Sequence, residues 1–249
     1  LIPVINRSSQ TMLKRLKAQI TGYRSGLVPL DVDVFPQDNS NTKKEGVSRT
    51  YKNYDGYAPM AAYLGMEGWC LEAELRPGSQ HSQKGFVDFI TRVISGAQEL
   101  TKQPLLVRAD AGNDAQETLV VLEDAEKTHY IVKWNPRGSD VLAWRDRVFA
   151  EGVVKTPRPG QRVGAMVVEE RKKINETPYS FKRIVRVTER AIDRNGQFLL
   201  APEITLEGWW TDLALEPEDV IELYRQHATS EQFHSEFKTD LDLEQLPSR

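Results

Sequence analysis

The stretch LLVRADAGND at residues 105–114 decides the fold of this chain. Its first residues are apolar, so they predict a short buried strand, which Pro104 precedes and Asp110 ends. Ala111 and Gly112 follow at once, and residues this small leave room for a ligand beside the carboxylate. Asp110 is therefore a candidate for a functional residue, because open α/β sheets usually build their sites at the carboxyl ends of strands.

Regular elements are predicted on both sides of this strand. VPLDVDVFP at 28–36 indicates a first strand, and GYAPMAAYLGMEGWCLEAEL at 56–75 indicates two antiparallel strands joined by a tight turn. Helical spacing predicts a helix over 84–99, a second helix runs to about residue 124, and HYIVKW at 129–134 is a further strand. Three strands, a helix, a strand, a helix and a strand make an α/β core, a pattern that matches a ribonuclease-H-like fold with a mixed sheet flanked by helices.

The rest of the chain frames this core. Residues 6–25 predict a polar helix, residues 37–56 a polar stretch, and residues 135–210 short strands separated by proline and glycine turns. A final helix begins at Pro217, where acidic first-turn residues suit the helix dipole. We therefore predict four regions: the end of an N-terminal helical region (1–27), the first part of the core (28–134), a β-rich insertion (135–210), and the second part of the core with the glutamate-bearing helix (211–249).

Composition excludes several classes of protein. The 249 residues are 39% hydrophobic, which is enough to fill one large domain with an insertion. The single cysteine, Cys70, indicates a reducing compartment without a disulfide framework, and no segment resembles a membrane span or a signal peptide. We expect a cytoplasmic protein with no membrane partner. The chain opens at Leu1 and stops soon after Lys238, so we also expect a fragment of a longer protein.

Three acidic residues are candidate metal ligands. Asp33 and Asp110 end or interrupt short apolar runs that read as buried strands, and Glu231 lies in the C-terminal helical stretch. Asp31 and Asp33 share a face of one strand, so either could be the first ligand; Asp33 is preferred because it lies nearer the strand's carboxyl end. Two strand-borne aspartates and a helix-borne glutamate would suit two Mg²⁺ or Mn²⁺ ions, which bind hard oxygen ligands and catalyse phosphodiester chemistry.

A polar stripe marks the C-terminal helix YRQHATSEQFHSEFK. Tyr224, His227, Glu231 and Lys238 are separated by two, three and six residues, and at 3.6 residues per turn these offsets keep all four side chains on one stripe. An amphipathic helix would normally place apolar residues on such a stripe. The stripe therefore indicates a functional face.

These motifs resemble those of the DDE insertion-sequence transposases with the signature Tyr-(2)-Arg-(3)-Glu-(6)-Lys. Tyr224, Glu231 and Lys238 fall on the signature, and RADAGND resembles the Arg-x-Asp-x-Gly strand end around the family's second catalytic aspartate. Lys-Glu-Gly at 44–46, Asp-Gly-Tyr at 55–57 and the loop ELRPGSQHSQKG are similar to elements of the insertion-sequence 1380-like subgroup. The resemblance runs from about residue 28 to the C-terminus.

The resemblance implies a ribonuclease-H-like catalytic core with a β insertion before the glutamate helix. It implies that Asp33, Asp110 and Glu231 bind two Mg²⁺ or Mn²⁺ ions and catalyse cutting and joining of DNA at transposon ends. The implied partners are double-stranded DNA, as transposon ends and target, and a second copy of the chain in a homodimer on that DNA. A bacterial protein that associates with the nucleoid when it acts is also implied.

His227 departs from the signature, which has arginine at this position. Arg225 lies about 200° away around the helix and is no simple replacement. Arginine offers a permanent cation and a bidentate fork for phosphate, whereas histidine near neutral pH is mostly uncharged. A transposase that needs this arginine for DNA binding would be weakened or inactive in this copy.

A local basic segment offers a second DNA-binding candidate. The net charge is −3, but residues 171–194 hold eight cations against three anions. Phosphate binding depends on such clusters, so Arg183 and Arg186 join Tyr224, His227 and Lys238 as predicted DNA contacts, and the alternative is a solvated face of a strand pair. Trp210 is the predicted base-stacking residue of the pair Trp209-Trp210, although adjacent tryptophans on a strand point to opposite faces.

The sequence leaves more than one function open. The leading reading is the catalytic domain of a cut-and-paste DNA transposase. The alternatives are an inactive remnant that keeps the fold or DNA binding only, and a metal-dependent nuclease without transposition, which would use the same three acids. A paired-carboxylate glycosidase is weaker, because the basic segment would then have no role.

Overall fold

Five α-helices and twelve β-strands lie within residues 2–193 and 195–226, the part of the chain that the computed structural model describes. The helices are α1 (Ile2–Arg15), α2 (Phe86–Leu100), α3 (Gln116–Asp124), α4 (Val141–Glu151) and α5 (Pro217–Arg225). The strands are β1 (Val28–Val34), β2 (Gln37–Asp38), β3 (Ser48–Arg49), β4 (Asp55–Tyr57), β5 (Met60–Leu64), β6 (Trp69–Glu74), β7 (Leu105–Ala109), β8 (Thr128–Lys133), β9 (Val153–Arg158), β10 (Gln161–Ile174), β11 (Thr177–Ile192) and β12 (Phe198–Thr211). Within these ranges no helix combines the length and the apolar character needed to cross a bilayer.

The chain divides into two compact units. The first comprises Leu1–Tyr130 with Leu223–Arg249, and the second comprises Ile131–Glu222. Strand β8 and helix α5 each contain one of the points at which the chain passes from one unit to the other.

The sheet of the first unit has the strand order β6-β5-β1-β7-β8. Strands β1, β5 and β6 form an antiparallel meander, and β7 pairs with β1 in parallel after the crossover through α2. The predicted succession of three strands, a helix, a strand, a helix and a strand is confirmed. A parallel pair needs such a crossover, because a short turn can join only antiparallel neighbours.

Burial explains why these segments form the core. Every residue of β5 and β7 is buried, as are the first five residues of β1, which is the expected pattern for strands covered on both faces. Helix α2 buries Phe86, Phe89, Ile90, Val93 and Ile94, the 3.6-residue stripe that the sequence predicted.

Helix α1 differs from the predicted helix at 6–25. It ends at Arg15, because Lys17 adopts the left-handed conformation with φ of 49° and the Ala18 N–H donates to the Leu13 carbonyl. This bond pattern is that of a Schellman C-cap, which ends a helix even without glycine.

Residues 37–56 also differ from prediction, since this polar stretch contains a small sheet. Its order is β2-β4-β3, and Gln37 lies opposite Tyr57. Gly56 lies so close to β2 that an added Cβ atom would overlap the Gln37 carbonyl oxygen. The short strands carry no hydrophobic alternation, so a periodicity argument could not find them.

The second unit is an antiparallel sheet in which the last residues of β8 are followed by β12, β11, β10 and β9. The predicted short strands are in fact 14 to 16 residues long in β10, β11 and β12. Asn175 and Glu176 join β10 to β11 with positive φ angles of 46° and 68°. Two successive left-handed residues make the turn that suits the twist of a hairpin, so the strands continue to its tip.

Helix α4 was not predicted within the β-rich insertion. Asp140 caps it by accepting hydrogen bonds from the N–H groups of Leu142 and Ala143. Val148 is the one buried residue of this helix, so its hydrophobic stripe is weak. The capping residue Asp140 was the sequence feature that could have predicted the helix.

Candidate active site

The parallel register of β1 and β7 brings two predicted ligands together. Val32 lies opposite Ala109, so the next step along both strands places Asp33 beside Asp110. Neighbouring strands lie about 4.8 Å apart, and residues in register project from the same face. The two carboxylates therefore share one edge and one face of the sheet.

Local hydrogen bonds orient each carboxylate. Asp33 Oδ1 accepts from the Val34 N–H at 2.7 Å. Asp110 Oδ1 accepts from the Gly112 N–H at 3.0 Å and from Asn113 Nδ2 at 2.9 Å, which caps the short 3-10 helix at Ala111–Asn113. These bonds hold the two groups at the strand ends, where a rigid site requires them.

Gly112 does not itself leave the room for a ligand beside Asp110 that the sequence predicted. A Cβ atom at this position would overlap Ser82 Oγ, and the Ser82 hydroxyl donates to the Gly112 carbonyl oxygen at 2.9 Å. The space beside Gly112 is therefore occupied by Ser82, whose loop packs against the strand end.

A buried ion pair distinguishes Asp31 from Asp33. Arg108 lies opposite Asp31 in the register and donates to both of its carboxylate oxygens, at 2.6 and 2.7 Å. The two side chains are 1% and 5% exposed, whereas Asp33 is only half-buried. Asp31 is thus committed to a structural pair, and Asp33 remains the predicted first ligand.

Arg108 also reaches helix α5. Its Nη1 donates to the Leu223 carbonyl oxygen at 2.6 Å, and its guanidinium carbon lies 5.5 Å from the centre of the Tyr23 ring. A carbonyl in the last turn of a helix lacks an intrahelical partner, so the arginine satisfies a group that would otherwise cost free energy on burial. Arg108 therefore links β1, through Asp31, to helix α5, through Leu223.

Burial, together with the negative charges of Asp33 and Asp110, raises the pKa of two nearby tyrosines. Burial, followed by the negative charges of Asp110 and Asp33, raises the pKa of Tyr224. Desolvation, followed by the charges of Asp33 and Asp110, raises the pKa of Tyr51 to about 12. Both phenols consequently keep their protons near neutral pH and can donate hydrogen bonds.

Comparison with known proteins gives the family. A family model described as Transposase DDE domain group 1 matches residues 5–249. The chain belongs to this transposase family. The piggyBac transposase in a synaptic complex with hairpin DNA, a cryo-EM structure, is similar over 88% of this chain and 41% of its own, with 7% sequence identity and a TM-score of 0.43. This chain spans less than half the length of that protein. No curated protein matches.

Part of the predicted transposase site lies outside the described residues. His227, Glu231 and Lys238 belong to this group, whereas Tyr224 is placed near Asp33 and Asp110. Among residues 2–193 and 195–226, no group of three or more histidine, cysteine or acidic side chains comes together. The described part of this transposase domain thus supplies two carboxylates, and the third predicted ligand is Glu231.

The second unit corrects two predicted DNA contacts. Arg183 is 7% exposed and Trp210 is 5% exposed. The Arg183 guanidinium lies 4.1 Å from the Trp134 ring, 4.5 Å from the Trp210 ring and 5.3 Å from the Trp144 ring, and it pairs with Glu170 at 2.7 Å. A cation held among aromatic faces is a packing element, so neither residue forms part of an accessible DNA surface.

Arg186 lies three residues after Arg183 on β11, so the two side chains point to opposite faces of the strand. Its charge helps to lower the pKa of Glu218, after the larger effect of the Lys155 hydrogen bond. Arg186 is half-buried in this charged neighbourhood, and its role in DNA binding stays a prediction.

Sequence reasoning missed Tyr51 and Arg108. Tyr51 lies in a polar loop with no periodic signal, so only its proximity to the two aspartates reveals it. Arg108 sits inside a buried apolar run, and an arginine at such a position signals a buried partner, because an unpaired charge is rarely buried.

Proposed function

We propose that this transposase domain cuts and joins DNA through metal-dependent hydrolysis of phosphodiester bonds followed by strand transfer. The supporting observation is the register of β1 and β7, which puts Asp33 beside Asp110 at one edge of the sheet. Two like charges held together need a compensating cation, and the family to which the chain belongs is named for its acidic residues.

The donor set fits Mg²⁺ or Mn²⁺. Asp33 and Asp110 present carboxylate oxygens, the hard ligands that these ions prefer, and Glu231 completes the set in this proposal. Two such ions, when bound, activate the attacking water or 3′ hydroxyl and stabilise the leaving oxygen.

The surrounding side chains have separate tasks. Arg108 positions α5 through the Leu223 carbonyl, so the chain leaves the helix close to the aspartates. Tyr224 stays protonated and donates a hydrogen bond to a DNA phosphate near the ions. His227 and Lys238, which follow Tyr224 in the signature, contact the DNA backbone in this proposal.

The first unit is proposed to be the ribonuclease-H-like core of an insertion-sequence 1380-like transposase. The order β6-β5-β1-β7-β8 supports this, because the meander and the crossover arise in the sequence order expected for that core. Double-stranded DNA at transposon ends and target is the proposed substrate, and a homodimer would hold two ends together.

An inactive remnant is the second candidate, and His227 at the signature arginine position favours it. A histidine that is mostly neutral cannot replace the bidentate phosphate fork of arginine. A nuclease without transposition is the third candidate and needs no joining step.

Nicking of supercoiled plasmid with Mn²⁺ tests the proposal. The parent chain is compared with Asp110→Asn and with Asp88→Asn, which removes the same charge from an exposed position in the first turn of α2. We expect nicking by the parent and by Asp88→Asn and at least a 100-fold loss in Asp110→Asn, since removal of a metal ligand abolishes the site. Circular dichroism confirms that all three are folded.

A joining assay separates the candidates. Labelled duplexes from the DNA that flanks the coding sequence are incubated with plasmid and the parent chain. Covalent transfer of label supports a transposase, nicking without transfer supports a plain nuclease, and neither product from the folded chain supports the remnant. Equal nicking by the parent and Asp110→Asn contradicts the site assignment.

A further inference from the structure

A cavity opens beside Asp110 in the first unit. Its volume is about 440 Å³, within the range of ligand-binding pockets. Residues 49–51 at the β3–β4 turn form one wall, residues 78–82 form another, and Asp110 with Gly112 closes the end next to the paired carboxylates. A molecule bound here would therefore touch the proposed catalytic edge directly.

The cavity walls are held by contacts between the loops. The Ser79 N–H donates to Ser48 Oγ at 2.9 Å, and a Cβ atom on Gly78 would overlap the carbonyl oxygens of Ser48 and Gly56. Arg76, which is 2% exposed, donates to the Ser82 carbonyl at 3.0 Å. The pocket is preformed, and preformed walls reduce the entropic cost of binding.

The chemistry of the lining selects a particular class of ligand. Asp110 is the one carboxylate among the described residues that line the cavity, and Arg49, Tyr51, Ser79 and His81 can each donate a hydrogen bond there. His81 Nδ1 accepts from the Gln83 N–H at 3.2 Å, so the neutral imidazole carries its proton on Nε2. Such a lining suits a ligand that is rich in acceptors.

Arg49 and Tyr51 supply charge and an aromatic face. Arg49 Nη1 lies 3.8 Å from Asp55 Oδ1, and both side chains are more than half exposed, so this ion pair is weak. Tyr51 is 67% exposed and borders the cavity. A cation for phosphate beside an exposed ring for a base is the combination that binds single-stranded nucleic acid.

We propose that this cavity binds one unpaired nucleotide of the DNA strand next to the scissile phosphate. Arg49 contacts the phosphate, Tyr51 stacks on the base, and Ser79 and His81 donate to base or sugar acceptors. The proposal rests on the proposed function, because that function places the scissile phosphate at Asp33 and Asp110. It adds a requirement for locally unpaired DNA at the cut site.

Fluorescence anisotropy tests this proposal in EDTA, where no metal chemistry occurs. The probe is a fluorescein-labelled duplex with a short 3′ single-stranded overhang, in which an abasic nucleotide replaces each overhang position in turn. The proteins are the parent chain, Tyr51→Ala, Arg49→Gln and the control Arg15→Gln, which removes an exposed cation from α1.

At one overhang position the abasic change should weaken binding by the parent by about 5- to 100-fold, as expected for the loss of one stacked base. Tyr51→Ala should bind the intact and abasic probes equally, whereas Arg15→Gln should keep the difference. Arg49→Gln should weaken both probes by a similar factor.

Absence of any position-dependent effect in the parent overturns the proposal, and so does an effect that survives in Tyr51→Ala. Failure of the proposed function is a separate result, because it appears only in the Mn²⁺ nicking assay. A position-dependent effect without nicking would support the nucleotide pocket and contradict the metal chemistry.

Discussion

Asp31→Asn and Asp33→Asn should have opposite effects on stability and on DNA nicking. The two aspartates nevertheless lie only two residues apart on one face of β1. Asp31 shares a bidentate, buried ion pair with Arg108, at 2.6 and 2.7 Å. Removing one partner of a buried pair costs about 3–5 kcal/mol, because the remaining charge stays buried without compensation. Asparagine keeps one acceptor oxygen, so we expect a loss of about 3 kcal/mol, the lower end of that range.

Asp33 is only half-buried at the end of β1 and lies beside the like charge of Asp110. Asparagine can still accept from the Val34 N–H, and the change relieves repulsion between the two carboxylates. We expect the free energy of unfolding to change by less than about 0.5 kcal/mol or to rise slightly. The same substitution removes a proposed metal ligand, so Mn²⁺-dependent nicking should be lost.

Thermal unfolding followed by circular dichroism, combined with plasmid nicking, tests the pair. For a chain of this size, a loss of about 3 kcal/mol lowers Tm by about 6–12 °C. Asp31→Asn should show this shift and still nick DNA below its melting range, whereas Asp33→Asn should keep its Tm and be inactive. The reasoning is refuted if Asp31→Asn melts with the parent, or if Asp33→Asn nicks normally while folded Asp31→Asn does not.

Two further predictions concern other parts of the chain. Burial, with a smaller effect of Glu72, raises the pKa of the Cys70 thiol from 9.0 to about 11, so at about pH 8 its reaction with a disulfide reagent should be about 100-fold slower in the folded than in the unfolded chain. Equal reaction rates in the folded and unfolded chain would contradict the burial of this thiol. Because the thiolate is disfavoured in the folded state, ionisation of Cys70 costs no stability below pH 9.0 and destabilises the fold as the pH rises toward 11. Arg183→Lys should lower stability by about 2 kcal/mol and shift tryptophan fluorescence, since lysine cannot fill the planar space among the rings. Exposed Arg171→Lys is the matched control in urea unfolding, and equal midpoints for the two variants would refute a packing role for Arg183.

Much of the first unit could be predicted from local patterns. The continuous apolar run at 105–109, the turn marked by Gly65 and Gly68, and the periodic apolar stripe of α2 each indicate a core element. The small sheet within 37–56 has no such period, and its strands exist because Gly56 allows two backbones to approach closely. Periodicity therefore finds core elements and misses those held by backbone contacts.

The second unit shows where sequence reasoning about charge fails. Eight cations in 171–194 suggested a DNA surface, but a strand places alternate side chains on opposite faces. Arg183 lies in the interior among the tryptophans, whereas the basic residues Lys182 and Arg186 are only half-buried. A count of charges cannot tell these two groups apart without knowing which face of the strand is covered.

The sequence by itself determined the order of core elements, the acidic residues at strand ends and the family to which the chain belongs. Only the tertiary structure decided which aspartate of LDVD forms the buried ion pair with Arg108. Asp31 and Asp33 have the same local environment in sequence, and they differ because strand register puts Arg108 opposite the first and Asp110 beside the second. Register is a relation between segments that are distant along the chain, so no local pattern contains it.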